Sequence, residues 1–329
     1  MKPSDVRRTL LIDTDTASDD AVALMMALRS PLVQVAAITV VAGNVSVEQG
    51  TSNALYTAEV CDSEVPIYTG AAKPLLRELQ TAEWFHGVDG LGDHGYAPAR
   101  RKAEPLTAVD AIIETVLKNP GIEMITLGPL TNLALALASE PRVAANISRC
   151  VMMGGAPCCE GNVTPAAEFN IWVDPEAARM VFLSGLPIEM IGWQLSRGGA
   201  VIDERDITGI LALQTPRAEY AIHCNSTAEA AYYTQTGEHG IALPDPIAMA
   251  VLLHPELSLS SGMHFVEVET TSELTRGMTV VDRLDVGADP RNRGIWNGAM
   301  RQAKRTNICW TLDVAGWKSA LMEALGSGP

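Results

Sequence analysis

Nineteen residues near the start of the chain, Leu10 to Leu28 (LLIDTDTASDDAVALMMAL), limit its fold more than any other stretch. Thr9–Ile12 is short, apolar and bounded by polar residues, the pattern of a buried strand. Four carboxylates then fall within eight positions: Asp13, Asp15, Asp19 and Asp20. Ser18 is placed to cap a helix, which puts Asp19 and Asp20 in the first turn, where the helix dipole favours acids. AVALMMAL follows, apolar on nearly every face, so the helix is expected to be deeply buried. Taken singly, these acids read as a turn former and helix N-terminal residues. Taken together, four like charges at the mouth of a buried strand–helix pair repel one another and resist desolvation. A cation would offset that cost, and hard oxygen donors gathered this way suit Ca²⁺ or Mg²⁺ better than zinc or copper.

Strand and helix patterns alternate through the first two thirds of the 329 residues. Strands are expected at Gln34–Val41, Val65–Tyr68, Glu123–Leu127, Ile147–Met153 and Pro187–Trp193. Helices are expected at Val47–Val60, Thr107–Lys118, Thr131–Ala138 and Asp174–Leu183, with two more between Asp203 and Tyr233 and another at Pro244–Leu253. The last third adds strand-like runs at His264–Glu269, Met278–Val281 and Asn307–Leu312, and a terminal helix at Val314–Leu325. No repeat or linker interrupts the chain. The expectation is one α/β domain over residues 1–329: an open, largely parallel (mixed) sheet with helices on both faces and a Rossmann-like core.

Ligands bind such sheets at the carboxyl ends of the strands. Here those ends are Asp13/Asp15, Asn44, Leu127, Met153-Gly154-Gly155 and Trp193-Gln194. Asn162, Glu168, Asn170 and Asp245 are candidates to join them. Lys73–Arg101 is irregular but contains Trp84, Phe85 and His86 among glycines, which suits a lid or binding loop.

The formal net charge of −15 and pI near 4.8 argue against nucleic acid or an anionic membrane as partner. A neutral, nucleotide-sized ligand is compatible with them. The six cysteines (Cys61, Cys150, Cys158, Cys159, Cys224 and Cys309) form no CxxC pair, so no zinc ribbon or redox motif is indicated. MKPSDVRRTLLIDTD has a basic start but an apolar stretch of only four residues, Thr9–Ile12, before Asp13, too short for a signal peptide. No segment reaches the ~20 apolar residues of a membrane span. A soluble, cytoplasmic protein is expected.

Five ordered blocks carry a family resemblance: DxDxxxDD at Asp13–Asp20, VAGN at Val41–Asn44, LGPLTN at Leu127–Asn132, MGGA at Met153–Ala156, and GNVTPAAEFNIWVDPEAA at Gly161–Ala178. With DPIAMA at Asp245–Ala250 they resemble the inosine-uridine-preferring nucleoside hydrolases. The resemblance implies hydrolysis of a ribonucleoside to ribose and free base, with a tightly held Ca²⁺, in a homodimer or homotetramer. It places Asp15, Asp20, the Leu127 carbonyl and Asp245 on the metal, together with the ribose 2′- and 3′-hydroxyls. It puts Asp19 and Asn170 on those hydroxyls, Asn162 and Glu168 on the 5′-hydroxyl, Met153 against the sugar, Asn44 near the metal-bound water and Asp13 in support. The residue types suit the chemistry independently. Cleavage of a ribosyl C–N bond passes through an oxocarbenium-like state that fixed negative charge stabilises. The attacking water needs a base, for which Asp15 is the candidate. A neutral sugar needs no arginine clamp.

The chain departs from the family pattern in two places. Many members carry a His just before the last metal Asp and use it to protonate the leaving base; here that position is Pro244. Thr16-Ala17-Ser18 also stands where many members have Pro-Gly and a small apolar residue. His86 or His239 is then the candidate acid. Alternatively the base leaves without side-chain protonation, stacked on Trp84, Phe85 or Trp193. Two other functions are open at this level. Asp13-Thr14-Asp15-Thr16 matches the nucleophile motif of haloacid-dehalogenase-like phosphatases, although Lys73, Lys102 and Lys118 are poorly placed for the lysine those enzymes need. Pro244 also motivates a nucleoside- or ribose-binding protein without turnover.

Overall fold

β1 (Arg8–Thr14) is buried from Leu10 onward and forms the middle of the fold. The structure, a computed structural model, describes residues 7–292 and 304–326. The first residues of the basic start, 1–6, lie outside that range. After β1 come α1 (Ser18–Arg29), β2 (Val33–Val40), α2 (Val47–Val60), β3 (Ile67–Thr69), α3 (Glu83–His86), α4 (Ala108–Lys118), β4 (Ile122–Thr126), α5 (Thr131–Ser139) and α6 (Arg142–Asn146). Next are β5 (Ile147–Met153), α7 (Phe169–Val173), α8 (Pro175–Leu183), β6 (Ile188–Ile191), α9 (Glu204–Leu211), α10 (Pro216–His223), α11 (Ser226–Thr236) and α12 (Pro244–Leu253). β7 (Ser258–His264), β8 (Val266–Val268), β9 (Thr279–Val281), β10 (Thr306–Leu312) and α13 (Val314–Leu325) complete the described elements.

The main sheet has eight strands in the order β3-β2-β1-β4-β5-β6-β10-β7. Every neighbouring pair is parallel except the last, β10–β7. β8 and β9 form a separate antiparallel pair. Successive residues of β1 point to opposite faces, as strand geometry requires. Leu10 and Ile12 enter a core with α1, α2, α12 and α13, while Leu11 enters a second core with α4, α5 and α8. Helices on both faces thus cover a sheet buried on both sides, the expected class.

The order of strands explains where a site can form. From β1 the chain proceeds outward through β2 and β3, then returns to place β4 on the other side of β1. The crevice outside the carboxyl ends of β1 and β4 is therefore the switch point at which such sheets bind ligands.

Several expectations need correction. Ser18 does not cap α1. Ala17 holds the cap position, and the Asp20 carboxylate accepts the Ala17 N–H at 2.9 Å. Three helices, not two, occupy the stretch from Asp203 to Thr236, because Thr215 and Pro216 restart the chain as α10, with the Thr215 hydroxyl accepting from Ala218 N–H. The run His264–Glu269 is split, and the preceding SLSSGMH forms the edge strand β7. Its small polar residues and exposed pattern hide a strand signal. α3 lies within the stretch read as irregular. Among the described residues no helix is long and apolar enough to cross a membrane.

Candidate active site

The rim at the switch point is built from chain turns that follow β1, β2, β4 and β5 and from the first turns of α1 and α12. Asp13 lies deepest. Its Oδ1 accepts from Thr39 Oγ1 at 2.6 Å and from Asn132 Nδ2 at 2.9 Å, while Oδ2 has no hydrogen-bond partner. Burial pushes its carboxyl up to about 7. Asp15 sits between two close backbones. A Cβ on Gly43 would lie 2.1 Å from Asp15 Oδ2, and one on Gly128 would lie 2.7 Å from Oδ1, so glycine at both positions makes room for this carboxylate. Oδ2 accepts Asn44 N–H at 2.6 Å, and the buried Oδ1 has no partner. Burial first, then the charge of Asp20, raises Asp15 well above the ordinary carboxylate range.

Asp20 is the most fully satisfied acid of the cluster. Thr14 Oγ1 donates to its Oδ1 at 2.5 Å, and Ala17 N–H to its Oδ2. Asp19, one residue earlier on α1, leaves Oδ1 buried and unpartnered, and burial pushes it up to about 6. Asp245 enters from α12, more than two hundred residues later, and burial and then the charges of Asp20, Asp19 and Asp15 raise it strongly. One oxygen from each of Asp19, Asp20 and Asp245 lies within 4.8 Å of the other two. Asp15 stands outside that trio, held back by Asn44. The donors are all hard oxygens, Asp19 Oδ1 is orphaned, and no lysine or arginine lines the cavity among the described residues. That set fits a divalent cation of the Ca²⁺ or Mg²⁺ type.

Nine of the residues singled out from the sequence line one cavity of about 620 Å³, measured with its open mouth: Asp19, Asn44, His86, Leu127, Met153, Asn162, Glu168, Asn170 and Asp245. Asp15 and Asp20 lie behind its wall. Asn170 Nδ2 donates to the Leu127 carbonyl at 2.8 Å and lies 3.3 Å from Met153 Sδ. Glu168 caps α7 and accepts from Gly155 N–H at 2.7 Å. Asn162 Oδ1 accepts Phe169 N–H at 2.9 Å, which fixes the loop after β5.

Trp84, Phe85, Trp193 and Pro244 add an apolar and aromatic part to the cavity wall. Trp84 is 59% exposed at the mouth. His86 is buried, with Nδ1 2.8 Å from Ser18 Oγ. Burial pulls the imidazole down to about 4 against the opposing pull of Asp20, so the ring is neutral at pH 7. The 3.9 Å between Nδ1 and Asp19 Oδ1 is therefore neither an ion pair nor a hydrogen bond. His239 is exposed, stacks on Tyr233 at 4.2 Å and is not among the lining residues. Gln235, from α11, also lines the cavity and carried no motif signal.

The sequence profile of the inosine-uridine preferring nucleoside hydrolases matches residues 10–319. The chain belongs to that family. It is 39% identical over 298 residues to the pyrimidine-specific ribonucleoside hydrolase RihA of Shewanella sp. (strain ANA-3), covering 90% of this chain and 93% of the relative. It is 37% identical over 321 residues to the non-specific ribonucleoside hydrolase RihC of Salmonella enteritidis, covering 97% and 98%. The plant nucleoside hydrolase PpNRh1 superimposes with a TM-score of 0.90 at 31% identity, over 98% of this chain and all of that one. Membership in a family of nucleoside hydrolases gives the cavity its class of chemistry. It also sets aside the phosphatase reading. In this nucleoside hydrolase fold Asp13, the would-be phosphatase nucleophile, is tied to Thr39 and Asn132 and does not face the cavity.

Proposed function

We propose that the chain hydrolyses the N-glycosidic bond of ribonucleosides, releasing ribose and the free base, with Ca²⁺ as its metal. The observation that carries this reading is the convergence of Asp19, Asp20 and Asp245 beside a cavity that Asp19 and Asp245 line together with Trp84, Phe85 and Trp193. Asp20, Asp245, the Leu127 carbonyl and Asp15 would hold the ion. When bound, it would offset the crowded carboxylates and orient water and the ribose diol. Asp19 and Asn170 would accept and donate at the ribose 2′- and 3′-hydroxyls, and Glu168 and Asn162 would meet the 5′-hydroxyl. Met153 would pack its sulfur against the sugar. Asn44 N–H fixes one oxygen of Asp15 and leaves Oδ1 to take a proton from the attacking water. The buried carboxylates stabilise positive charge as it develops on the ribose ring.

Pro244 has no proton for the leaving base. His86 lines the cavity and, as a neutral imidazole with Nδ1 2.8 Å from Ser18 Oγ, would hydrogen-bond the departing base through Nε2–H, the base taking its proton from water on release. His86→Ala lowers kcat about 10²-fold, the scale of losing one hydrogen bond to charge developing on the leaving group. Unchanged kinetics on the best substrate would assign His86 to holding Ser18 alone, with the base leaving by stacking on the aromatic wall.

The relatives' names differ in base preference, pyrimidine-specific for one and non-specific for the other, so preference is read directly from a panel. Reducing-sugar release from inosine, uridine, adenosine and cytidine is measured before and after chelation and dialysis, then after adding Ca²⁺ back. Release from at least one nucleoside, lost on chelation and restored by Ca²⁺, is expected. Binding without release in every case would make the chain a nucleoside-binding protein instead. The whole chain would act as one catalytic domain, in a homodimer or homotetramer; light scattering measures the subunit count.

A further inference from the structure

One side chain outside the cavity ties together stretches that wall it. Arg197 lies in the turn after β6, four residues beyond Trp193. Its guanidinium reaches in two directions. Nη1 donates to Glu160 Oε1 at 2.5 Å, on the loop between β5 and α7 that carries Asn162. Nη2 lies 3.5 Å from Glu238 Oε1, two residues past the end of α11. Tyr232 of α11 donates its hydroxyl to the same Glu238. The Tyr232 ring is fully buried and packs with Trp193 and Ala242, so the tie is anchored in the core. Across the gap Gln235 Nε2 donates to the Asn162 carbonyl.

Gln235, Asn162 and Trp193 line the cavity, whereas Arg197 does not. Arg197 Nε is buried with no hydrogen-bond partner, a cost that a solvent-facing arginine would avoid. The contacts to the two acids offset that cost. The rigid, planar arginine fork holds the two acids on separate nitrogens in fixed directions, which a compact lysine ammonium does less well. Asn162 has its own tie to Phe169 N–H, so loss of Arg197 would free the end of α11 and Gln235 rather than the ribose end of the cavity.

We propose that Arg197 is a positioning residue: by joining Glu160 to Glu238 it latches the end of α11 over the cavity and holds Gln235 against the nucleobase. The proposal rests on the nucleoside hydrolase reading above. Its test compares nucleosides with 4-nitrophenyl ribofuranoside, which keeps the ribose and lacks the base. Arg197→Ala raises KM for the best nucleoside about tenfold, with kcat changed less than about threefold. For the nitrophenyl riboside kcat/KM stays within about twofold, which a general loss of structure would not allow. Arg197→Lys recovers part of the nucleoside KM. The wild-type nucleoside KM rises with added salt up to about 0.5 M while that of Arg197→Ala is flat, because the half-exposed pairs are screened. Equal losses on both substrates, or an unchanged nucleoside KM, overturn the proposal. A wild-type protein without turnover overturns the hydrolase reading instead. Arg197 is then judged by nucleoside Kd from tryptophan fluorescence, where a tenfold rise supports the latch and no change overturns it.

Discussion

Asp15→Asn removes nucleoside hydrolysis, lowering kcat by about 10³-fold or more, and leaves the fold in place. The substitution keeps the shape that Gly43 and Gly128 accommodate, so the close approach of both backbones survives. The amide oxygen can still accept Asn44 N–H, as Asp15 Oδ2 does at 2.6 Å. What is lost is a proton acceptor at the other oxygen, the buried Oδ1 with no partner of its own. Burial and the charge of Asp20 both raise the proton affinity of this carboxylate, the direction a base for water requires. The substitution also removes one negative charge from a crowded buried group. The chelated Asp15→Asn protein should therefore melt higher than the chelated parent. Activity and stability move in opposite directions, which a misfolded variant cannot imitate. Steady-state turnover and thermal melts on the same preparations check both halves. Near-parent turnover would remove Asp15 as the base.

The contrast between β1 and β7 shows what the sequence could disclose. β1, β5 and α12 were legible because burial on both sides writes apolar runs bounded by turn formers. The acid cluster was legible for the opposite reason: charge where the pattern demands burial has few explanations. Which acids converge was not legible. Asp15 and Asp19 differ in their reach to Asp245 only because the chain turns at Ala17, where Asp20 itself supplies the cap and Ser18 is released to meet His86. That register depends on tertiary contacts absent from any local pattern. β7 was hidden because an exposed edge strand of serines lacks both alternation and β-branched residues. Gln235 and Arg197 were hidden because they act across the fold, on partners 73 and 37 residues away. Their neighbours in sequence say nothing about that.

Removing the divalent ion lowers the melting temperature, and by more at pH 8 than at pH 5. The sign follows from the direction in which burial moves the carboxyls. In the unfolded chain an aspartate titrates near 3.8; in the folded, cation-free protein burial raises Asp13 to about 7 and Asp19 to about 6, with Asp15, Asp20 and Asp245 raised as well. A group raised on folding gives stability that is fully present below its unfolded value and is lost as pH climbs through its folded value. The stripped protein therefore weakens progressively between about pH 4 and pH 7 as these acids must ionise without a partner. Each tenfold gain in proton affinity on folding corresponds to about 1.4 kcal/mol, so Asp13 and Asp19 together account for about 7 kcal/mol. A bound cation reverses the preference, since it favours the charged form that burial opposes. For a chain of this size the gap between loaded and stripped protein should reach roughly 5–10 °C at pH 8 and shrink toward pH 5. Surface ion pairs such as Arg142–Glu140 titrate alike in both forms and cancel in the difference. Asp245→Asn removes one of the three converging oxygens' charges, so it should narrow the gap and flatten its dependence on pH. A gap equal at the two pH values, or none at either, would mean that these carboxylates are not where a cation binds.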